Sequence, residues 1–162
     1  MDQREQNTDS EQHQNRLYSL FIDEYGFHTS IHLWRGYFIG TATGMYLNVQ
    51  GGIAHGWPAF LNGDLIGSFF GSTSSPTGSR MVSFANATLS TAGPNVLLVV
   101  QDNSGHDETS GALNVRGILN ATLPGGNSST LSSWKVTGTA GGSTNSLLDP
   151  VRTIYKEGGP HS

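Results

Sequence analysis

Cysteine is absent from the 162-residue chain, which excludes a disulfide framework, a thiol nucleophile and thiolate metal ligands together. That absence assigns no compartment, because a domain with an adequate core can be secreted without disulfides. Charge is scarce: Asp, Glu, Lys and Arg make up 12% of the residues, half the ~25% typical of soluble domains, which argues against long salt-bridged helices. Basic groups are scarcer still, with 8 Lys and Arg against 12 Asp and Glu and a formal net charge of −4. Phosphate recognition needs clustered cations, so nucleic acid is set aside as a partner. Long hydrophobic runs are missing too, each being broken by Gly, Asn or Ser, and no segment reads as membrane-spanning. The length falls short of the roughly 250 residues of a TIM barrel. It suffices for one domain that buries ~70% of its extended surface.

What the chain does hold is glycine, 22 residues of it, set between short apolar stretches. Residues 1–16 are polar and without periodicity, so ordering them would not be repaid by burial, and they read as a disordered tail. They lack the apolar core of a signal peptide. From Leu17 onward the texture is that of an all-β sandwich of about seven or eight short strands. Met45-Tyr46-Leu47-Asn48-Val49-Gln50 alternates, placing Met45, Leu47 and Val49 on one face of a half-buried strand. Ala59-Phe60-Leu61 and Asp64-Leu65-Ile66 flank Asn62-Gly63, a dipeptide that tolerates positive φ and suits a type I′ hairpin turn. The run from Asn95 to Val100 predicts a strand covered on both faces. Stretches 80–84, 115–123 and 133–137 complete the count. No capped helical pattern of a dozen residues occurs.

Gly71 to Gly78, Pro124-Gly125-Gly126-Asn127 and Gly138 to Ser143 read as surface loops. None matches a phosphate-binding glycine motif opening a helix, and no βαβ unit exists to hold one.

A family resemblance lies in the residues themselves. Asp23-Glu24-Tyr25-Gly26-Phe27-His28-Thr29 and Leu33-Trp34-Arg35-Gly36-Tyr37-Phe38 are followed in order by Val49-Gln50-Gly51-Gly52, Phe60-Leu61-Asn62-Gly63 and Gln101 through Glu108. Then come Arg116-Gly117-Ile118-Leu119-Asn120, Trp134-Lys135-Val136-Thr137-Gly138, Asp149-Pro150-Val151-Arg152 and Tyr155-Lys156-Glu157-Gly158-Gly159. This series resembles the C-terminal jelly-roll domains of fungal β-galactosidases of glycoside hydrolase family 35, over residues 17–159. The resemblance implies a galactose-binding-domain-like jelly-roll β-sandwich, extracellular like the family. It implies as partners the catalytic barrel and the neighbouring jelly roll of a parent enzyme. The family's barrel, and the segment that follows the Glu-Gly-Gly motif in the family, have no counterpart here, so an accessory module or a piece of a longer polypeptide is expected.

The missing barrel bears on catalysis. Retaining glycoside hydrolysis needs two carboxyl groups about 5 Å apart, one protonated and one ionised. The family's glutamates sit on barrel strands, and nothing in the pattern places two of this chain's acids on facing strands of a cleft. No catalytic residue is expected.

Other polar residues have two readings each. Asp102, Asp107 and Glu108 surround a glycine turn; they could contribute hard oxygens to Ca²⁺, or close the turn by bonding their own backbone, which is preferred because the spacing is not that of an EF-hand. His28 and His32 would point the same way about 13 Å apart on an extended segment, too far for one zinc ion. Trp57 and His55 could stack on and hydrogen-bond a galactoside, or Trp57 could fill the core with its N–H satisfied, the preferred reading. Trp34 with Arg35 is similar: Arg35 could face a sugar hydroxyl, or pair with a buried acid such as Asp102. Arg116 has the same choice, and a structural ion pair is preferred for both arginines. Asn86, Asn120 and Asn127 open glycosylation sequons. Asn127 is the preferred acceptor, and Asn120 is usable only if its side chain points outward.

These readings combine into a non-catalytic jelly-roll domain that scaffolds a parent enzyme. The alternative is a stand-alone carbohydrate-binding module with a weak galactoside site.

Overall fold

The computed structural model describes residues 21–22, 31–75, 77–103, 115–126, 131–138 and 156–157. The polar segment 1–16 lies outside them, as do both boundaries of the 17–159 domain. Nine strands occur among the described residues: β1 His32–Ile39, β2 Gly44–Gln50, β3 His55–Leu61, β4 Asp64–Phe70, β5 Thr77–Ser83, β6 Pro94–Asn103, β7 Gly117–Thr122, β8 Ser133–Gly138 and β9 Lys156–Glu157. They form a six-stranded sheet in the order β4-β3-β6-β1-β8-β9 and a three-stranded sheet in the order β5-β2-β7. Every pairing is antiparallel. The chain passes from one sheet to the other at β1–β2, β2–β3 and each connection from β4 to β8, the crossing pattern of a jelly-roll sandwich.

Alternation along each strand builds the core. Trp34 and Phe38 from β1, Met45, Leu47 and Val49 from β2, Trp57, Ala59 and Leu61 from β3, Leu97 and Val99 from β6, and Trp134 and Val136 from β8 are all buried in one cluster. Each large apolar side chain removed from water contributes about 1.5–3 kcal/mol, so the facing sheets are held by the hydrophobic effect. Strand β1 was not read as a separate element, yet it lies between β6 and β8. Its sequence is apolar at most positions because both faces are covered near its centre: Trp34 and Phe38 point inward, while Leu33 packs outward with Leu98 and Val100.

Three readings need correction. Strand β8 runs through Gly138, which is buried and paired with His32, so the loop expected over Gly138 to Ser143 does not begin at Gly138. Strand β5 starts at Thr77 rather than Arg80, so Gly78 belongs to a strand instead of a loop. An added Cβ there would come within 2.5 Å of Trp57 Nε1, so glycine is what lets the strand approach the indole. Strand β6 is covered fully on its inner face only: Val96, Leu98 and Val100 are half-buried.

The Asn62-Gly63 turn has φ of 52° and 96° at its two residues, as a type I′ hairpin requires. A register shift between Ala59 and Phe60 turns both Ile66 and Gly67 inward: Ile66 packs on the core and a Cβ on Gly67 would meet Val82 Cγ1 at 2.7 Å. The hairpin is tied to the rest of the sandwich by asparagines. Asn62 Nδ2 donates to Thr88 O and to Asn95 Oδ1, each at 2.8 Å, and Val96 N–H donates to Asn62 Oδ1.

Candidate functional site

The polar residues singled out from sequence divide between the sandwich interior and the surface. Trp57 is 1% exposed, because odd positions of β3 face inward with Ala59 and Leu61. Its indole stacks on Phe69, ring centroids 6.0 Å apart. The expected partner for its N–H is missing, Nε1 having none among the described residues. Trp34 is fully buried and meets the edge of His32 at 6.0 Å. Neither indole presents a face to solvent, so a galactoside cannot stack on either without opening the core.

His55 is also interior. Its Nδ1 lies 2.5 Å from Gly52 O, and since a carbonyl only accepts, Nδ1 carries the proton and donates. The neutral ring then leaves Nε2 as an acceptor, buried and unpartnered. Burial holds its pKa below the ordinary 6.5; the Gly52 bond works upward, Arg116 downward and Asp102 upward. The ring packs at 5.5 Å from Phe69 and is wedged between glycines. A Cβ on Gly51 would lie 2.4 Å from Gln101 Nε2 and 2.6 Å from His55 Cγ, and one on Gly71 would lie 2.8 Å from His55 Nδ1.

Gln101 completes this interior group and was missed from sequence. Nε2 donates to Gln50 O at 2.8 Å, while Oε1 is buried without a partner. The signal was present: Gln101 follows Asn95, Leu97 and Val99 at two-residue spacing, which puts it on the inner face. Arg116 closes the group, Nη2 donating to Ala54 O at 3.2 Å.

Arg35 is buried, though on the outer face of β1, opposite Leu98. Asp102 lies four residues further along β6, about 13 Å away by strand rise, and is exposed. Asp102 is therefore not the buried acid expected beside Arg35. Asp107, Glu108, His28 and Asn127 lie outside the described residues. Asn86 and Asn120 are exposed, Asn120 on the outer face of the three-stranded sheet opposite Asn48.

Among the described residues, Asp64 and Asp102 are the acids whose side chains are placed. They sit opposite Leu61 and Gly56, near the two ends of β3, roughly 16 Å apart by strand rise. Asp64 Oδ2 accepts a bond from Thr88 N–H at 2.9 Å. Among the described residues this interior group brings together His55, Gln101 and Arg116, held in fixed geometry by the Gly52, Gln50 and Ala54 carbonyls.

Residues 3–107 match the family described as the β-galactosidase second all-beta domain. The chain is 57% identical over 140 residues to "Probable beta-galactosidase B" of Pyrenophora tritici-repentis, and 55% and 52% identical over 140 residues to proteins of that name from Sclerotinia sclerotiorum and Penicillium rubens. Each match covers 86% of this chain and 14% of the relative, so the chain spans about a seventh of the curated proteins it resembles. The chain belongs to the family of the β-galactosidase second all-beta domain.

Proposed function

We propose that this chain is the non-catalytic accessory domain of a secreted β-galactosidase, packing against the parent's catalytic barrel and neighbouring jelly roll and holding their arrangement. The observation that carries this reading is the match to a β-galactosidase all-beta domain, together with alignments that take up 14% of each relative. Its side chains support it: the two placed carboxylates stand far beyond the about 5 Å of a retaining pair and the roughly 6.5–9.5 Å of an inverting one. Export in the parent accords with exposed sequons at Asn86 and Asn120, which a glycosylating pathway could modify.

Incubation of the purified chain with a chromogenic galactoside tests the non-catalytic part; release of galactose would overturn it. The alternative, a weak galactoside site of its own, rests on the Trp57 and His55 neighbourhood with its unpartnered Nε1 and Nε2 atoms. Titration with galactose or lactose followed by tryptophan fluorescence separates the two. Silence up to tens of millimolar favours the scaffold, and a saturable change abolished by Trp57→Phe favours the binding module.

A further inference from the structure

We propose that the outer face of the six-stranded sheet over β4 and β3, centred on Phe70 and Leu65, is the surface by which this domain docks on another domain of its parent β-galactosidase. This rests on the accessory-domain reading and names the face it uses.

The two outer faces of the sandwich differ in chemistry. On the three-stranded sheet, cross-strand neighbours run Ser79, Asn48, Asn120 and Thr77, Gln50, with Met81 and Tyr46 as the apolar members. Hydroxyls and amides dominate, and the sequon Asn120 projects from it. On the six-stranded sheet one row runs Leu65, Phe60, Leu98 and on to Arg35 and Lys135; another holds Ser68 and Pro58, and Val100 lies opposite Leu33. The next row holds Phe70, Gly56 and Asp102.

The second face is covered unevenly. Over β1, Leu33 and Arg35 are 6% and 3% exposed, and Ile39 at the strand's far end is 70% exposed. Over the edge strand β4, Phe70 is 82% and Leu65 58% exposed, with Phe60 and Pro58 half-buried beside them. The Phe70 ring lies across Gly56, where a Cβ would come within 3.1 Å of Cδ1. Exposed apolar side chains on an edge strand invite association unless a partner covers them.

The relatives supply the occupant, since they carry this stretch within chains of which it is 14%. A domain of the same polypeptide meets the patch at high effective concentration. The covering surface should be apolar at its centre, and exposed Asp102 at the patch end calls for a Lys or Arg on its rim.

Hydroxyl-radical footprinting reads these side chains directly. The isolated chain is compared with the Pyrenophora β-galactosidase in which the matching stretch is replaced by this sequence. Labelling of Phe70 and Leu65 should fall several-fold in the full-length protein, while Met81, 61% exposed on the opposite face, stays unchanged. Protection of Met81 with Phe70 still labelled would overturn the assignment of the face and leave the accessory reading standing. Protection of neither face would remove both. Phe70 already protected in an isolated chain that sediments as a dimer would make a second copy the occupant and overturn the proposal. As a second arm, Leu65→Ser/Phe70→Ser should leave the isolated chain's melting midpoint unchanged and lower that of the full-length protein; equal midpoints in the full-length pair would overturn it.

Discussion

Replacing Asn95 by alanine should be among the most damaging polar substitutions in the domain. Asn95 is fully buried and uses all its side-chain capacity. Oδ1 accepts from Asn62 Nδ2 and Ser90 N–H, each at 2.8 Å, while Nδ2 donates to Gly40 O at 3.1 Å and Ser90 O at 3.2 Å. A net intramolecular hydrogen bond contributes about 1 kcal/mol, and a buried group left without a partner costs more. Water can reach some of these groups once the amide is gone, which sets the expected loss at about 3 kcal/mol. Against a total of about 5–15 kcal/mol that is a large fraction, and it corresponds to roughly 6–12 °C in Tm for a chain of this size. Urea unfolding followed by tryptophan fluorescence suits the measurement, since Trp34, Trp57 and Trp134 are all buried. The midpoint should drop with the slope unchanged. Asn62→Ala should cost less, and the double variant less than the two losses added, because the residues share a bond. A midpoint for Asn95→Ala within about 1 kcal/mol of the parent, or strict additivity with Asn62→Ala, would refute the account of the asparagine cluster as the tie between the β3–β4 hairpin and the β5–β6 connection.

Gly51→Ala should destabilise by about 1–3 kcal/mol because its Cβ meets the root of the His55 ring as well as Gln101; a melting midpoint equal to the parent's would show that the ring can move aside. For His55, the lowered pKa means the folded state prefers the neutral ring, so its contribution is level above about pH 6.5. As pH falls below that value the unfolded chain binds the proton first, and stability declines by up to about 1.4 kcal/mol per pH unit until the folded ring also titrates. The difference in urea midpoint between parent and His55→Gln, measured across pH 4–7, should carry this slope, and a pH-independent difference would contradict it. Expression in a glycosylating fungal host should yield mass heterogeneity that Asn120→Gln reduces; an unmodified Asn120 in intact-mass analysis would remove that sequon from the proposal.

The local elements were legible because neighbours in sequence decide them. Asn62-Gly63 supplies two residues that accept positive φ, and the alternation of Met45, Leu47 and Val49 needs no distant partner to be read. The motifs scattered from Asp23 to Gly159 also pointed to the family that the comparison then established. The polar residues were harder. Trp57 and His55 lie on the same face of β3 whichever way it turns, and only pairing with β4 and β6 makes that face the inner one. Arg35 and Asp102 looked like partners because both are charged in a sparsely charged chain, and the β1–β6 register separates them.

Composition and short-range pattern by themselves determined that this protein is a strand sandwich with a tight Asn-Gly hairpin, since period-two burial and turn stereochemistry act over a few residues. Tertiary structure alone decided that β1 lies inside the larger sheet, that Gln101 reaches the Gln50 carbonyl 51 positions away, and that one outer face is left apolar over β4. Those outcomes depend on which strands lie beside which, and a one-residue change of register exchanges the inward and outward sets without altering the pattern along the chain.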